Sequence, residues 1–302
     1  MRAIAIKETT VRPAPPRPRP VSQAVTVQAL AAEHQSEVLS FLTSRPLQTV
    51  FMTGLIRDNG ISSPLNRGTF YGCRNAGGQL EGVALIGHAI LLEARSEAAL
   101  EGLARLARSH AAAHMILGEQ VMIDGFWHHY GLGQSPRLAC RELLFEQRWP
   151  VAVHEPVGDL RQATLQDLDL IVPVHAQLAF EESGVNPLEV DPEGFRARCA
   201  RRIEQGRVWV WVEGGELIFK TDVVRDTPEV VYLEGIYVHP GYRGKGYGRR
   251  CLSQLGRRLL ERTKSVCLLV NEQNQAARAM YERAGYKLRG TYDTLFLQQK
   301  GD

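Results

Sequence analysis

Ten residues, GYRGKGYGRR at positions 241–250, combine four glycines with four cationic side chains, and they follow the apolar run VVYLEGIYV. Glycine lets a backbone approach a ligand closely, and Arg243 and Lys245 add positive charge. The stretch lies between a predicted strand and a predicted helix, whose first N–H groups are unpaired and carry the positive end of the helix dipole. The pattern therefore predicts that this loop and the start of the helix bind an anion and form an anion cradle. A pyrophosphate is a suitable ligand for such a site.

Two common phosphate loops do not fit these residues. A Walker A loop needs a Ser or Thr after its Gly-Lys pair, whereas Gly246 follows Gly244-Lys245. A dinucleotide-binding G-x-G-x-x-G that starts at Gly244 fails because Arg249 stands at its third glycine. What remains is an Arg-x-x-Gly-x-Gly pattern that runs from Arg243 to Gly248.

This pattern resembles the R/Q-x-x-G-x-G/A motif of the GNAT N-acetyltransferase superfamily, which wraps the pyrophosphate of acetyl-CoA. A second stretch, LLVNEQNQAARAMYERAGYKLRG, resembles the strand, asparagine and helix tyrosine of the same family. The resemblance covers residues 158–299 and implies acetyl-CoA as the cofactor. It assigns cofactor binding to Ile236, Tyr237, Val238, Arg243, Gly244, Lys245, Gly246, Tyr247, Gly248, Arg249, Asn271, Asn274, Ala277 and Tyr281.

Four residues are candidates for proton transfer. Glu234 lies in an otherwise apolar strand, where a carboxylate is costly unless it is hydrogen-bonded or solvated in a cleft. Strand alternation predicts that Glu234 shares a face with Tyr232 and Ile236. It is a candidate general base or a structural carboxylate; Tyr232 is nearer the family's usual position for the base, and Glu229 is a weaker choice. Tyr281 matches the family's acid that protonates the coenzyme sulfur, although its helical spacing also suits a core residue.

The acceptor is expected to meet the loop FEESGVNPLEVD, with Glu181, Glu182 and Asn186 as candidate contacts. Its acidity would suit a cationic amine, although a run of charges is also typical of a solvated surface. Lys220 is an unusual cation within a strand; it could pair with Glu234 or point to solvent.

The predicted fold class is α/β: a GNAT fold with a mixed, mostly antiparallel sheet flanked by helices. Residues 1–24 are predicted to be a disordered Pro/Arg-rich tail, 25–152 a degenerate GNAT-like domain without a coenzyme motif, and 158–302 the catalytic domain. Helices are predicted over QALAAEHQSEVLSFL and LQTVFMTGLIRD, and RELLFEQRW is predicted to close the first domain as a strand. A last pair of strands is predicted around KLRG and YDTLFLQ.

Composition limits the other classes of function. A net charge of +3 is small for a nucleic-acid binder, and no apolar run approaches the roughly 20 residues that span a bilayer. The N-terminus lacks a secretory pattern, and the five scattered cysteines suggest neither disulfides nor a zinc site. We therefore expect a cytoplasmic monomer or homodimer without nucleic-acid, membrane or metal partners.

The leading hypothesis is an acetyl-CoA-dependent N-acetyltransferase that transfers the acetyl group directly to a primary amine of a small molecule or protein. The main alternative is a non-catalytic acyl-CoA sensor or interaction module. A third interpretation, nucleic-acid binding by the basic stretch, predicts a strong dependence of affinity on salt.

Overall fold

A computed structural model describes residues 24–110, 113–153 and 155–298. The strands are β1 (Thr26–Ala29), β2 (Gly68–Arg74), β3 (Leu80–Gly87), β4 (Ala89–Ala94), β5 (Met115–Glu119), β6 (Leu138–Gln147), β7 (Arg161–Gln162), β8 (Val208–Glu213), β9 (Glu216–Asp226), β10 (Val231–Val238), β11 (Val266–Asn271) and β12 (Lys287–Phe296). The α-helices are α1 (Gln35–Thr43), α2 (Val50–Asn59), α3 (Glu97–Arg108), α4 (Gln120–Tyr130), α5 (Leu168–Ser183), α6 (Pro187–Val190), α7 (Pro192–Glu204), α8 (Tyr247–Leu260) and α9 (Gln275–Arg283). The predicted tail lies almost wholly outside the described residues.

All twelve strands form one sheet in the order β1-β2-β3-β4-β5-β12-β6-β11-β10-β9-β8-β7. Among the strand pairs of the described residues, only β4–β5 and β10–β11 are parallel. The strand order follows the same scheme when the sheet is read inward from either edge. Strands β1–β5 of the first half (residues 24–153) therefore correspond to β7–β11 of the second half (residues 155–298). The predicted mixed, mostly antiparallel α/β class is confirmed.

The two halves exchange their last strands at the centre of the sheet. Strand β6 of the first half lies between β11 and β12, and Leu144 is opposite Leu269 of β11. Strand β12 of the second half lies between β5 and β6, and Thr294 is opposite Leu117 of β5. The prediction that RELLFEQRW closes the first half's own sheet was therefore wrong, because this strand completes the sheet of the other half.

Helices cover both faces of the sheet, and one apolar cluster joins the halves. Helices α1, α2, α5 and α7 pack on one face, and α3, α4, α8 and α9 pack on the other. Leu47 and Val50, at the start of α2, pack with Leu144, Tyr232 and Tyr292 in a buried cluster. Burial of these side chains stabilises the halves as one body, since about 25 cal/mol is gained per Å² of buried apolar surface.

Local signals in the sequence account for several element ends. Ser96 caps α3 by accepting a hydrogen bond from Ala99 N, and Asp191 caps α7 by accepting one from Gly194 N. The Gly214–Gly215 turn between β8 and β9 has positive φ at both residues, as a two-residue hairpin turn of this kind requires.

Three element predictions were wrong. Residues 28 and 29, where the predicted helix began, belong to strand β1, and the strand β2 was missed. The predicted last pair is one continuous strand, β12, because its neighbours β5 and β6 pair with it along its length.

We predict that Leu144→Ala destabilises both halves together, by about 2–5 kcal/mol of unfolding free energy, because it removes a buried side chain from the shared cluster. Urea unfolding followed by tryptophan fluorescence and by circular dichroism should give one coincident, shifted transition. The exposed Leu165→Ala is the control and should leave the midpoint nearly unchanged. Two separate transitions, with the first unshifted, would contradict a shared core.

Candidate functional site

A cleft begins where the parallel strands β10 and β11 part. Their ladder pairs Val231 with Val266 and ends at Leu233 with Leu268, although β10 continues to Val238. The edge of β10 over residues 234–238 that faces β11 therefore has no strand partner in the described part of the chain. Backbone groups without partners at such an edge can bind an extended, amide-containing ligand.

A β-bulge at Gly235 reorients β10 just beyond this point. Gly235 has φ +60°, and the register with β9 moves from Glu234–Asp222 to Tyr237–Lys220. The bulge inserts one residue, so the face of every later side chain is reversed. The prediction that Ile236 shares a face with Glu234 was therefore wrong: Ile236 packs toward the cluster under α8 and α9, and Glu234 lies on the opposite face.

A buried ion pair supports the bulge. Lys220 Nζ donates to Asp222 Oδ2 over 2.8 Å, and the two side chains are 0% and 1% exposed. A Cβ at Gly235 would lie 2.9 Å from Lys220 Nζ, so a larger residue would displace the ammonium. Neither prediction for Lys220 is correct, since it pairs with Asp222 instead of Glu234 and does not reach solvent.

The glycine stretch forms the predicted cradle at the start of α8. Gly246 is the N-cap of this helix, has φ +82° and leaves the first turn without a side-chain cap. A Cβ at Gly248 would collide with Met280 of α9 and Val238 of β10. The glycines are therefore needed for the left-handed turn and for close packing, and the uncapped N–H groups remain available to an anion.

The side chains of the cradle have different partners. Arg243 Nε donates to the carbonyl of Val238 over 3.0 Å, which fixes the loop to the end of β10. Lys245 lies over the Tyr242 ring, 5.3 Å from its centroid, and Tyr247 packs edge-on against Trp211. Gly244 and Arg249 are exposed beside them. Arg243, Lys245 and Arg249 thus lie at the mouth of the cradle.

The two predicted asparagines lie at the start of α9 and have local roles. Asn274 Oδ1 accepts from Ala277 N over 3.1 Å as the helix cap, and Asn271 Oδ1 accepts from Gln273 N over 2.9 Å. Both residues are exposed beside the end of β11, where the cleft opens, and Ala277 is half-buried behind them. The structure explains these side chains by capping, and their contact with a cofactor stays a prediction.

Tyr281 lies on the face of the sheet that α8 and α9 cover. It is 5% exposed and packs with Phe145 and Tyr286 in the second half's core. Its hydroxyl makes no hydrogen bond within the described part of the chain, and burial raises the pKa of Tyr281. Tyr281 is therefore a protonated phenol behind the parted strands.

Glu234 and Tyr232 lie on the other face. Tyr232 is 4% exposed, and its ring centroid is 4.5 Å from that of Phe51 on α2. Burial, together with the charges of Glu234, Glu142 and Glu182, raises the pKa of Tyr232 well above its usual range. Tyr232 therefore keeps its proton at neutral pH, which leaves Glu234 as the better base of the two.

Glu142 and Glu182 lie near enough to Glu234 for their charges to interact, and the three carboxylates come from separate elements. Burial is the main cause that raises the pKa of Glu142, and the charges of Glu234 and Asp293 add to it. Desolvation by neighbouring groups, together with the charges of Glu234 and Glu142, raises the pKa of Glu182 to about 7, although its side chain also reaches solvent. Sequence reasoning missed Glu142 because its strand was placed in the other half; the only signal was a carboxylate in an apolar strand.

The other predicted acceptor residues make local contacts outside this cluster. Glu181 accepts from Gln177 one turn earlier, and Asn186 caps α6 by accepting from Leu188 N. Glu229 lies near Arg57, 3.5 Å away, at the far end of β10. Of the candidates in the loop, Glu182 alone joins Glu234.

The equivalent cleft of the first half is filled. Strands β4 and β5 also part, after Leu91 and Leu117, but Arg45 spans the gap with contacts of 2.8 Å to Glu93 and 2.5 Å to Glu119. The cavity that remains there has a volume of about 20 Å³, and Ser96 caps the following helix. This half therefore lacks the uncapped helix end that the second half offers.

Several side chains outside the cleft have structural roles. Cys251 and Cys267 are buried thiols, and burial raises the pKa of Cys251 to about 12, so both are inert. Trp211 is buried in the core, as the two covered faces of the sheet require. Over the described ranges, no group of three or more His, Cys, Asp or Glu side chains could hold a metal ion, and no helix could cross a membrane.

Comparison with known proteins identifies the region that contains this cleft. Residues 176–286 match the family model described as Acetyltransferase (GNAT) family. A curated acetyltransferase of Yersinia pestis (strain Pestoides F) is 36% identical over 64 residues, which are 21% of this chain and 43% of that protein. The chain thus spans less than half the length of the curated relatives it matches.

Solved structures resemble the chain over most of its length. A GNAT-family acetyltransferase from Colwellia psychrerythraea is 14% identical, with 91% of this chain and 100% of that chain covered and a TM-score of 0.58. A tandem GNAT protein from the clavulanic acid biosynthesis pathway is 16% identical, with coverages of 90% and 98% and a TM-score of 0.58. At these identities the likeness concerns the fold, and it extends to a tandem arrangement.

We predict that Gly246→Ala weakens binding of coenzyme A by about tenfold or more, because a Cβ is strained at φ +82° and turns the N–H groups of the cradle. Gly241→Ala, in the same loop, is the control because a Cβ there meets nothing closer than 3.4 Å. Isothermal titration measures both affinities. Equal affinities for the two variants would exclude this cradle as the anion site.

Glu182 should make the stability of the protein depend on pH. Its pKa rises from 4.5 to about 7 on folding, so the unfolded chain loses this proton first and the folded state is destabilised as the pH rises between these values. The charges of Glu234, Glu142 and Glu181 also raise the pKa of Glu182, and the charge of Lys220 lowers it. Glu182→Gln should therefore raise the melting temperature at pH 8 and leave it unchanged at pH 4. A gain of equal size at both pH values would contradict the assignment.

Proposed function

We propose that the chain transfers an acetyl group from acetyl-CoA directly to a primary amine, because residues 176–286 match the model of the GNAT acetyltransferase family. One observation carries this proposal: β10 and β11 part next to an uncapped, glycine-lined helix end, with Glu234 and Tyr281 on opposite faces of the gap. A donor and an acceptor can therefore approach each other from the two sides of the sheet.

The residues present fit the coenzyme. The uncapped first turn of α8 and the exposed Arg243, Lys245 and Arg249 would hold its pyrophosphate. The unpaired edge of β10 at Ile236–Val238 would hold its amide-containing arm, and one of these N–H groups would polarise the acyl carbonyl. When bound, acetyl-CoA supplies a thioester that an amine can attack.

Glu234 would take one of the two protons that the ammonium group loses, Tyr281 would supply the proton that the departing sulfur gains, and the second proton of the nitrogen would leave to water. An amine attacks only as the free base, so Glu234, on the acceptor face, takes a proton from the ammonium group directly or through water. Tyr281, whose raised pKa keeps it protonated, donates its hydroxyl proton to the departing sulfur on the donor face. The separation of these groups by the sheet keeps base and acid from neutralising each other.

We predict that Glu234→Gln and Tyr281→Phe each lower kcat by about 100-fold or more and leave the affinity for coenzyme A within about twofold, since proton transfer typically contributes factors of this size. Release of the coenzyme thiol with a panel of primary amines measures kcat, and titration calorimetry measures binding.

Tyr286→Phe is the matched control, since it removes another buried hydroxyl of the same aromatic cluster that has no hydrogen-bond partner. It should retain wild-type kcat. A chain that binds coenzyme A but acetylates no amine in the panel would instead be a non-catalytic acyl-CoA sensor.

A further inference from the structure

Arg225 of β9 carries a guanidinium group whose capacity for hydrogen bonds is almost unused. A guanidinium has five N–H donors, and here Nη1 donates to the carbonyl of Val224 over 2.8 Å. The Nε atom is buried and has no hydrogen-bond partner among the described residues. A buried donor in this state is costly unless a ligand or water completes it.

No carboxylate of the described residues is paired with Arg225. Asp58 of the facing helix α2 is held by Arg207, with contacts of 2.8 and 2.6 Å. Asp222 of the same strand is bound by Lys220 at 2.8 Å. Burial is the main cause that lowers the pKa of Arg225, so its charge is disfavoured until an anion binds beside it.

Helix α2 of the first half determines where the Arg225 side chain lies. A Cβ at Gly54 would be 2.5 Å from Cδ of Arg225, so a larger residue on α2 would displace the stem of this arginine. The guanidinium carbon lies 6.0 Å from the centroid of the Phe51 ring, and that ring contacts Tyr232 of β10. The first half therefore positions a cation that the second half contributes.

Arg225 lies close to the candidate base along the sheet. Arg225 is opposite Tyr232 in the β9–β10 ladder, and Glu234 follows two residues later, opposite Asp222. Asp222 contacts Arg202 of α7, and Tyr232 contacts α2, so both pairs extend on the acceptor face, which α2, α5 and α7 cover. Two residues of a strand span about 7 Å, a distance that one small molecule can bridge.

A carboxylate fits this guanidinium better than other anions do. Its two oxygens can accept from Nε and from one Nη of Arg225 in the planar, bidentate arrangement that arginine favours. A dianion such as phosphate would be repelled by Glu234 on the same face. A zwitterion satisfies both groups, because its ammonium group can face Glu234 while its carboxylate faces Arg225.

On the premise of the proposed function, we propose that the acceptor is a small amino acid whose carboxylate binds Arg225 while its amine faces Glu234. The acceptor class is an amino acid with one to three carbon atoms between the amine and the carboxylate. Arg225 is then a specificity residue of the acetyl transfer, and Gly54 and Phe51 of the other half position it.

The direct test measures binding of amino acids that cannot be acetylated. N,N-dimethylglycine, 3-(dimethylamino)propanoate and 4-(dimethylamino)butanoate are titrated into the full chain in the presence of coenzyme A, each beside its carboxamide, which lacks the negative charge. We expect at least one carboxylate to bind about tenfold more tightly than its carboxamide, a ratio that corresponds to about 1.4 kcal/mol. Equal affinities within all three pairs would overturn the proposal.

Two variants locate the carboxylate. Arg225→Gln removes the guanidinium, whereas Gly54→Ala keeps it and displaces its stem, and alanine also favours the helix. Each should reduce the carboxylate preference toward one and leave the affinity for coenzyme A unchanged, which shows that the fold is intact. Arg57→Gln is the control, because this arginine also lies on α2 but contacts Glu229 at the far end of β10. A preference that survives both variants would contradict the proposal.

Turnover separates this proposal from the function on which it rests. With glycine, 3-aminopropanoate, 4-aminobutanoate and their carboxamides as acceptors, we expect kcat/KM to favour at least one amino acid by about tenfold, and this ratio to be lost in Arg225→Gln. If acids and carboxamides are acetylated equally, the carboxylate site is wrong and acetyl transfer stands. If a dimethylamino acid binds with the expected preference but no amine is acetylated, the carboxylate site stands and acetyl transfer is wrong.

Discussion

The cleft depends on the ion pair of Lys220 and Asp222 beneath Gly235. The bulge at this glycine requires a positive φ, and the space where a Cβ would lie is occupied by the ammonium group. Because the pair is fully buried, each charge needs the other, and the loss of one partner of such a pair typically costs about 3–5 kcal/mol. Strand β9, which carries both residues of the pair, thereby holds β10 in the one shape that turns Glu234 and Ile236 to opposite faces.

The exchange of β6 and β12 adds a second constraint on the same site. Strand β6 fills the position beside β11, so that the carboxylate of Glu142 comes from a different half of the chain than Glu234. Helix α2 of the first half also covers this face, through contact of Phe51 with Tyr232. The acceptor face is therefore built by both halves, whereas the cradle and Tyr281 belong to the second half alone.

Features that depend on neighbours along the chain could be read from the sequence. The caps at Ser96 and Asp191, the hairpin at Gly214–Gly215 and the glycine stretch before α8 are each encoded within a few residues. The partner of a strand is not encoded in this way, because an apolar strand such as β6 suits any central position in a sheet. The bulge at Gly235 and the partner of Lys220 also depend on a neighbouring strand, so they could not be predicted from the sequence. For this reason the predicted face of Ile236 was wrong.

The first half shows how the same topology can lose its cleft. Its strands β4 and β5 part at the position that corresponds to the end of the β10–β11 ladder, but Arg45 joins Glu93 to Glu119 across the gap. A salt bridge in this place neutralises the carboxylates internally, whereas no ion pair among the described residues bridges the parted ends of β10 and β11. The halves therefore differ within one sheet: a cation of the chain closes the first gap, and the second keeps an unpaired strand edge beside the uncapped end of α8.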